Sequence, residues 1–513
     1  MDEIVRLVAH ELVTSDGEVT SVALACCCKS LEEPVLDVLW ETQEKLLPLL
    51  KTLPGDIWDE GGYAVSGPIA EIFSSLNRSI RKSFRRPPTT PEWSRFRKYA
   101  RRMRELEERG DLGVISPEVL PVLQFYTINE PIFPHLKTLQ LWFTPVEFIP
   151  TIPLLLSPST TVIDISFFGF DPSKAMALSM VTTFPTLCPN LQEISLYCLP
   201  RDPMITAAVS GMILASNRNT LRCLRVDSPL TDEAHEVVYS LPNLRRLSVV
   251  VERDTPPTWV VLPNLIDLTV RYEHDGDWLR VFREATFGKL EAVTFYSESE
   301  QIGDFLGAFE RVALTVSVQN TLSVLYLHTS CSWSPNYSSL LPFTQLTDIF
   351  VEFSCNNGCS STVDDDIITD LARTMPKLET LRLGSPPCRE IHTGVTSKGL
   401  VALANHCPDL SVLRVHFQVA SLSTPPAVVG MAPDAGPTAL PRDCGLEGLE
   451  VGEIPMPEES VLTVTLTLTR IFPHIRWIDH FDWNWQKVLD AIHLSREIYN
   501  HSGEERPPLY ASK

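Results

Sequence analysis

The sequence predicts an α/β repeat solenoid, with parallel strands on a concave face, preceded by a short all-α module. Three observations lead there. One apolar spacing recurs along about two thirds of the 513 residues. Stretches with helical period lie between the recurrences, and the first forty residues carry helical patterns that the recurrence does not share.

The recurring unit is seen in FPHLKTLQL, CPNLQEISL, LPNLRRLSV, NTLSVLYL, MPKLETLRL and CPDLSVLRV, where apolar residues occupy positions one, four and six. Position one falls at Leu136, Leu191, Leu221, Leu244, Leu265, Leu290, Leu322, Leu346, Leu378, Leu410, Leu446 and Ile475, with Thr160 in a degenerate copy. Intervals run from 21 to 36 residues over about thirteen repeats. The alternation at positions four and six puts two side chains on the buried face of a short strand. Segments such as TDEAHEVVYSL and TSKGLVALANHC then give a helix, with Leu400, Leu403 and Ala404 on one face. A single unit cannot bury its own apolar side, whereas stacked units share a continuous core. The spacing is that of a leucine-rich repeat. Around GVTSKGLVALANHCPDLSVLRV the wording resembles the cysteine-containing subtype, and the unequal periods predict helices and loops of unequal length on the convex side.

Ahead of the repeats, three helical patterns follow one another: Ile4, Val5, Val8 and Leu12; Val19, Val22, Leu24 and Ala25; Val35, Leu36, Leu39 and Trp40. DEIVRLVAHEL followed by SVALACCCKSLEEPVLDVLW resembles the F-box, the helical motif that binds the Skp-type adaptor of cullin-RING ubiquitin ligases. The phrase LDVLWETQEKLLPLLKTLPGDIW also resembles fungal, basidiomycete-like proteins that combine an F-box with leucine-rich repeats. The resemblance implies a substrate-recognition subunit of an SCF-type ligase acting in ubiquitin-dependent degradation. Its adaptor-binding residues would be Ile4, Val5, Val8, Leu12, Leu24, Cys27, Leu36, Leu39 and Trp40. The other reading of this module is a helical cap that shields the first repeat.

The domains expected are therefore the F-box-like module at 1–45, a linker and helical region at 46–130, the solenoid at 131–490 with a loop insertion at 421–443, and a tail at 491–513. The Pro, Gly and Ala content of that insertion reads as a surface loop, and the segment 61–91 also reads as loosely ordered.

Composition narrows the partners. Sixty-four acidic against 43 basic residues give a formal charge of -21, which repels phosphate backbones and anionic lipid surfaces. Neither nucleic acid nor a membrane is expected as a partner. An acidic N-terminus without a cleavage site, and no apolar run long enough to span a bilayer, place the chain in the cytoplasm or nucleus. Its 12 cysteines then stay reduced.

No enzymatic motif emerges, and no cofactor or metal is expected. Cys26, Cys27 and Cys28 point about 100 degrees apart on a helix and read as buried small residues. Cys355 and Cys359 lack a second ligand pair at zinc-site spacing. In HEVVY, Tyr239 stands where a zinc protease needs its second histidine, so His235 reads as part of a solenoid helix. From Arg78 to Arg109, twelve basic residues face four glutamates, with aromatics between them. This segment fits an acidic protein surface, an RNA or an import signal, but reads best as a helix paired with the acidic body of the same molecule. Trp477, Trp483 and Trp485 read as packing over the last open strand.

The residues between the strand leucines are expected to face the concave surface: Gln140, Trp142, Tyr197, Arg225, Thr269, Tyr296, Tyr326, Phe350, Arg382, Arg414 and His416. Aromatics and arginine are the types that anchor protein interfaces. Two functions fit: a ligase subunit that holds an unknown target protein on this face, or a repeat scaffold or inhibitor unattached to any ligase.

Overall fold

Every one of the thirteen recurrences becomes a strand, and each strand starts two residues after position one. A computed structural model describes residues 2–15, 18–59, 82–109, 112, 115–126, 130–167, 173–216, 218–252, 261–272, 286–297, 316–330, 337–354, 363–384, 394–422, 444–452, 454–480 and 482–502. The chain divides into two compact units, Met1–Val250 and Val251–Lys513.

The first unit opens with helices α1 (Asp2–Ser15), α2 (Glu18–Cys27) and α3 (Lys29–Glu41), which pack on one another. Strand β1 (Thr42–Gln43) follows directly. After it come β2 (Trp58–Asp59) and β3 (Ser83–Phe84), an antiparallel pair, then α4 (Thr90–Ala100) and β4 (Glu105–Arg109). The repeats supply β5 (Thr138–Trp142), β6 (Val162–Ser166), α5 (Lys174–Leu187), β7 (Glu193–Tyr197), α6 (Pro203–Ala215), β8 (Cys223–Pro229), α7 (Asp232–Val238) and β9 (Arg246–Val251). Strands β1 and β4 to β9 form one parallel sheet in sequence order. Its buried row runs Leu106, Leu139, Ile163, Ile194, Leu224 and Leu247, none more than 1% exposed. Each leucine-sized side chain so buried contributes about 1.5 to 3 kcal/mol.

The sheet thus starts ahead of the first repeat recognised from the sequence. The extra unit is MRELEE, in which Met103 and Leu106 fill positions one and four, but Glu108 stands at position six. Glu108 is 1% exposed, and its carboxylate accepts the Leu46 backbone N–H at 2.8 Å. The segment around it is not a simple linker, because Trp93 and Phe96 of α4 are buried.

In the second unit the order is β10 (Val261–Leu262), β11 (Asp267–Tyr272), β12 (Thr286–Phe287), β13 (Ala292–Ser297), β14 (Val324–Ser330), β15 (Asp348–Ser354), α8 (Asp365–Thr374), β16 (Thr380–Leu383), α9 (Ser397–His406), β17 (Val412–Val415), β18 (Gly448–Gly452), α10 (Val461–Ile471), β19 (Trp477–His480) and α11 (Trp483–Ser502). Strands β11 and β13 to β19 are parallel neighbours, while β10 and β12 pair apart. The buried row is Leu268, Val293, Leu325, Ile349, Leu381, Leu413, Leu449 and Ile478.

One hydrogen-bond pattern recurs in both units. The carbonyl of position two accepts two successive N–H groups of the next repeat: Lys137 O from Thr161 and Val162, Glu379 O from Ser411 and Val412, Ser411 O from Glu447 and Gly448. Arg104 O does the same for Lys137 and Thr138, which marks MRELEE as a repeat by its backbone where its side chains obscure it.

Three expectations need correction. Cys26, Cys27 and Cys28 are exposed, not buried. Helix α2 is only 10 residues long and ends at Cys27, and Cys28 is the N-cap of α3, so the three cysteines fall at the junction of two helices and not within one helix. Trp483 is 80% exposed, although Trp485 is fully buried and donates its indole N–H to Ile454 O at 2.8 Å. Trp477 is 39% exposed and lies over Gly448, where a Cβ would fall 2.0 Å from the ring. Residues 491–502, expected to begin a tail, continue α11. Residues 423–443 of the expected loop insertion, 60–81 of the expected loose segment, and Cys355 and Cys359 lie outside the described residues.

Candidate functional site

Because side chains alternate along a strand, the row between the buried leucines faces away from the core. In the second unit the register aligns Thr269, Thr294, Tyr326, Phe350, Arg382 and Arg414, and by continuation Glu450, which pairs with Asp479. A second row, two residues further on, holds Arg271, Tyr296, His328 and Glu352. His416 belongs beside this row. Gly384 has φ +94, a backbone conformation that favours glycine, and a Cβ there would come within 3.2 Å of the His416 ring and push it aside by a few tenths of an ångström.

These side chains make one connected platform. Arg271 lies over the Tyr296 ring at 5.9 Å, Tyr296 and Tyr326 are 5.4 Å apart, Tyr326 and Phe350 5.7 Å, and Arg382 lies over Phe350 at 5.2 Å. The aromatic ladder is therefore closed at each end by a guanidinium. Beside it runs a charge network. Tyr326 donates its hydroxyl to Glu352 at 2.6 Å, and Arg414 reaches Glu352 at 3.2 Å and Glu450 at 2.5 Å. Arg382 also pairs with Glu450 at 2.5 Å, a residue only 5% exposed.

The electrostatics follow from this geometry. The Glu352 carboxyl is held down to about 2 by the His328 imidazole 3.8 Å away, by the Tyr326 hydroxyl and by the Arg414 charge. Burial pushes the Tyr326 hydroxyl up, and accepting its hydrogen bond onto an ionised Glu352 pushes it further. The ionised Glu352 thus accepts the Tyr326 hydroxyl, and the rings form a half-buried surface with a guanidinium at each end.

In the first unit the corresponding rows are Glu107, Gln140, Asp164, Ser195, Arg225 and Ser248, and Arg109, Trp142, Ser166 and Tyr197. Trp142 is 45% exposed, and Phe143 beside it, at φ 57, is 42% exposed. Burial raises Asp164, opposed by the Arg225 charge, and burial likewise raises Tyr197. The strand-face residues expected from the sequence lie on the non-core side of their strands, except His416, which follows the end of β17. Tyr296, Tyr326, Phe350 and Arg382 touch from strand to strand in the second unit, and in the first unit the Tyr197 hydroxyl pairs with Arg225.

The sequence reading missed Arg271, His328, Glu352 and Glu450. A signal was present: Glu450 stands at position five, like Arg414, and the other three follow position six, like Tyr296.

Among the expected adaptor-binding residues, Ile4, Val8 and Cys27 are exposed, and Val5, Leu12, Leu24, Leu36, Leu39 and Trp40 are half-buried. Trp40 packs at a tilt against Tyr99 of α4, the ring centres 4.9 Å apart. Leu7, not foreseen, is 72% exposed and completes a stripe with Ile4 and Val8. The basic segment pairs within the chain: Lys98 and Arg102 with Glu33, Arg102 with Asp37, Arg97 and Arg101 with Glu130, and Arg86 with Asp56 and Glu92.

Among the described residues, no cluster of three or more His, Cys, Asp or Glu side chains is placed to hold a metal ion. No described helix is long and apolar enough to cross a membrane. No protein-family model matches the chain, and no curated protein matches it. Among solved structures it is similar to an internalin from Listeria monocytogenes, at 11% identity over 86% of this chain and 95% of that one, with a TM-score of 0.28.

Proposed function

We propose that this chain is a protein-binding repeat scaffold serving as the substrate-recognition subunit of an SCF-type cullin-RING ubiquitin ligase. The N-terminal helices dock the Skp-type adaptor, and the strand face of the second unit holds the target protein. The carrying observation is the stripe Ile4, Leu7 and Val8, 65%, 72% and 47% exposed on a helix whose Ala9 is fully buried. Together with Val22, 49% exposed on α2, it leaves large apolar side chains uncovered on a small module, as a helix that waits for an apolar partner groove does. The aromatic and arginine platform supplies the anchor types of a protein interface, and the reading assigns no nucleophile to the chain.

One observation favours the second reading, a scaffold or inhibitor with no ligase attached. Helix α3 is bound into the first unit by β1, by the Glu33 and Asp37 ion pairs and by Trp40, as an integral cap would be. Calorimetry of the full chain with a purified Skp-type adaptor separates the two. The ligase reading expects binding that Leu7→Asp weakens by at least roughly 100-fold with unchanged circular dichroism, because a buried interface charge costs several kcal/mol. If the wild-type chain binds no adaptor where an ordinary F-box protein does, the scaffold reading replaces it.

A further inference from the structure

The two guanidiniums that end the aromatic ladder of the second unit differ in their partners. Arg382 pairs with Glu450, and Arg414 pairs with both Glu450 and Glu352, so at that end two cations meet two carboxylates. Arg271 lies over the Tyr296 ring and has no carboxylate partner among the described residues. It is half-buried on β11, so protein replaces part of the water that would otherwise solvate its charge. On a chain of net charge -21, a half-buried cation that no carboxylate neutralises is an open position for an anionic group.

Between the two ends the surface is aromatic, with Tyr296, Tyr326 and Phe350 half-buried and their ring centres 5.4 and 5.7 Å apart. The guanidiniums already over the two outer rings keep a cationic side chain off the ladder. Glu352 and Glu450, beside it, repel a phosphate backbone. One acidic group followed by uncharged apolar groups meets all three conditions. Length adds a fourth. Arg271 on β11 and Phe350 on β15 are three strand intervals apart, about 14 Å at roughly 4.8 Å each. In an extended peptide, alternate side chains recur on one face about every 6.7 Å, so the first, third and fifth span about 13 Å.

Resting on the reading that this face holds the target protein, we propose that it does so through an extended segment of the form acidic-x-apolar-x-apolar, laid across the strands. The acidic side chain meets Arg271, the first apolar side chain covers Tyr296 and Tyr326, and the second covers Tyr326 and Phe350. The paired arginines at the far end already have their carboxylates, so no second acidic residue is required there.

Surface plasmon resonance on the immobilised full chain tests this, with capped pentapeptides injected from about 10 μM to about 2 mM. The probes are Asp-Ser-Phe-Ser-Phe, Lys-Ser-Phe-Ser-Phe and Asp-Ser-Ser-Ser-Ser. The wild type is expected to bind the first in the sub-millimolar range, as suits a short segment that must be ordered on binding, and at least roughly 10-fold more tightly than either of the others. Arg271→Glu is expected to reverse the order of the aspartate and lysine peptides that carry phenylalanine, and Phe350→Ala to weaken the first peptide by roughly 5-fold or more. Should Arg271→Glu fail to fold by circular dichroism, Arg271→Gln removes the charge alone and is expected to bind those two peptides equally. A wild type that binds none of the three or does not prefer the first, an Arg271→Glu chain that keeps the wild-type order, or a Phe350→Ala chain of unchanged affinity would each overturn the proposal. So would an oligouridylate of about ten nucleotides bound more tightly than the first peptide, since the rings would then stack bases. No arm contains the adaptor, so failure here leaves the ligase reading standing, and a chain that recruits no adaptor leaves this surface standing.

Discussion

His235 of α7 shows how a single residue gives the fold a pH limit. It is 1% exposed, and burial brings its imidazole down to about 4, while Nδ1 lies 3.0 Å from the Tyr239 hydroxyl. The unfolded chain takes up a proton below about 6.5, and the folded chain resists until about 4. Stability is therefore present above 6.5 and is lost as the pH falls through that window, by on the order of 3 kcal/mol. Denaturant titrations at stepped pH should show this loss in the wild type and a flatter profile in His235→Gln. Equal slopes in both would contradict it. Thr160 teaches a second residue-scale lesson. It stands where the repeat has leucine, and its hydroxyl donates to Leu136 O and accepts the Ser157 N–H, both at 3.1 Å. Thr160→Val moves towards the repeat consensus yet should destabilise by about 1 to 3 kcal/mol, because a buried donor and acceptor lose their partner. A denaturation midpoint equal to or above the wild type would show that these bonds contribute nothing. The sequence showed Thr160 only as a blemish, since a local backbone bond leaves no periodic trace.

At the scale of elements, periodicity made the thirteen strands legible, and chemistry hid the others. Strand β4 went unseen because Glu108, held by the Leu46 N–H, replaces an apolar residue, and no spacing rule anticipates a glutamate satisfied by a distant backbone donor. The strand face was legible by alternation, but the Glu352 and Glu450 network depends on which neighbours meet across strands, and unequal repeat lengths obscure that in the sequence. Trp40 reads from the sequence as a docking residue; in the structure it packs against Tyr99 and joins α3 to α4. Trp40→Ala should cost about 1 to 3 kcal/mol, the value of an aromatic pair plus partial burial. In a repeat array that damage stays with neighbouring units. Hydrogen exchange should then quicken in residues 2–41 while amides of β6 to β8 keep their protection. Uniform loss of protection along the first unit would instead make the module part of one cooperative core.

For the molecule as a whole, the proposed function rests on the α1 stripe in the first unit and the aromatic platform in the second. Their residues lie in different compact units, so each can be altered alone. Leu7→Asp changes an exposed position, and Tyr296→Ala removes one half-buried ring of the ladder without touching the leucine row. The most direct test is quantitative affinity purification of the wild type and these two full-length variants from the same cells, with the Skp-type adaptor measured by name. Leu7→Asp is expected to lose the adaptor and keep the remaining partners, while Tyr296→Ala keeps the adaptor and loses partners held by the strand face. Two variants that lose the same set, or a wild type that never brings down the adaptor, would contradict the proposed function.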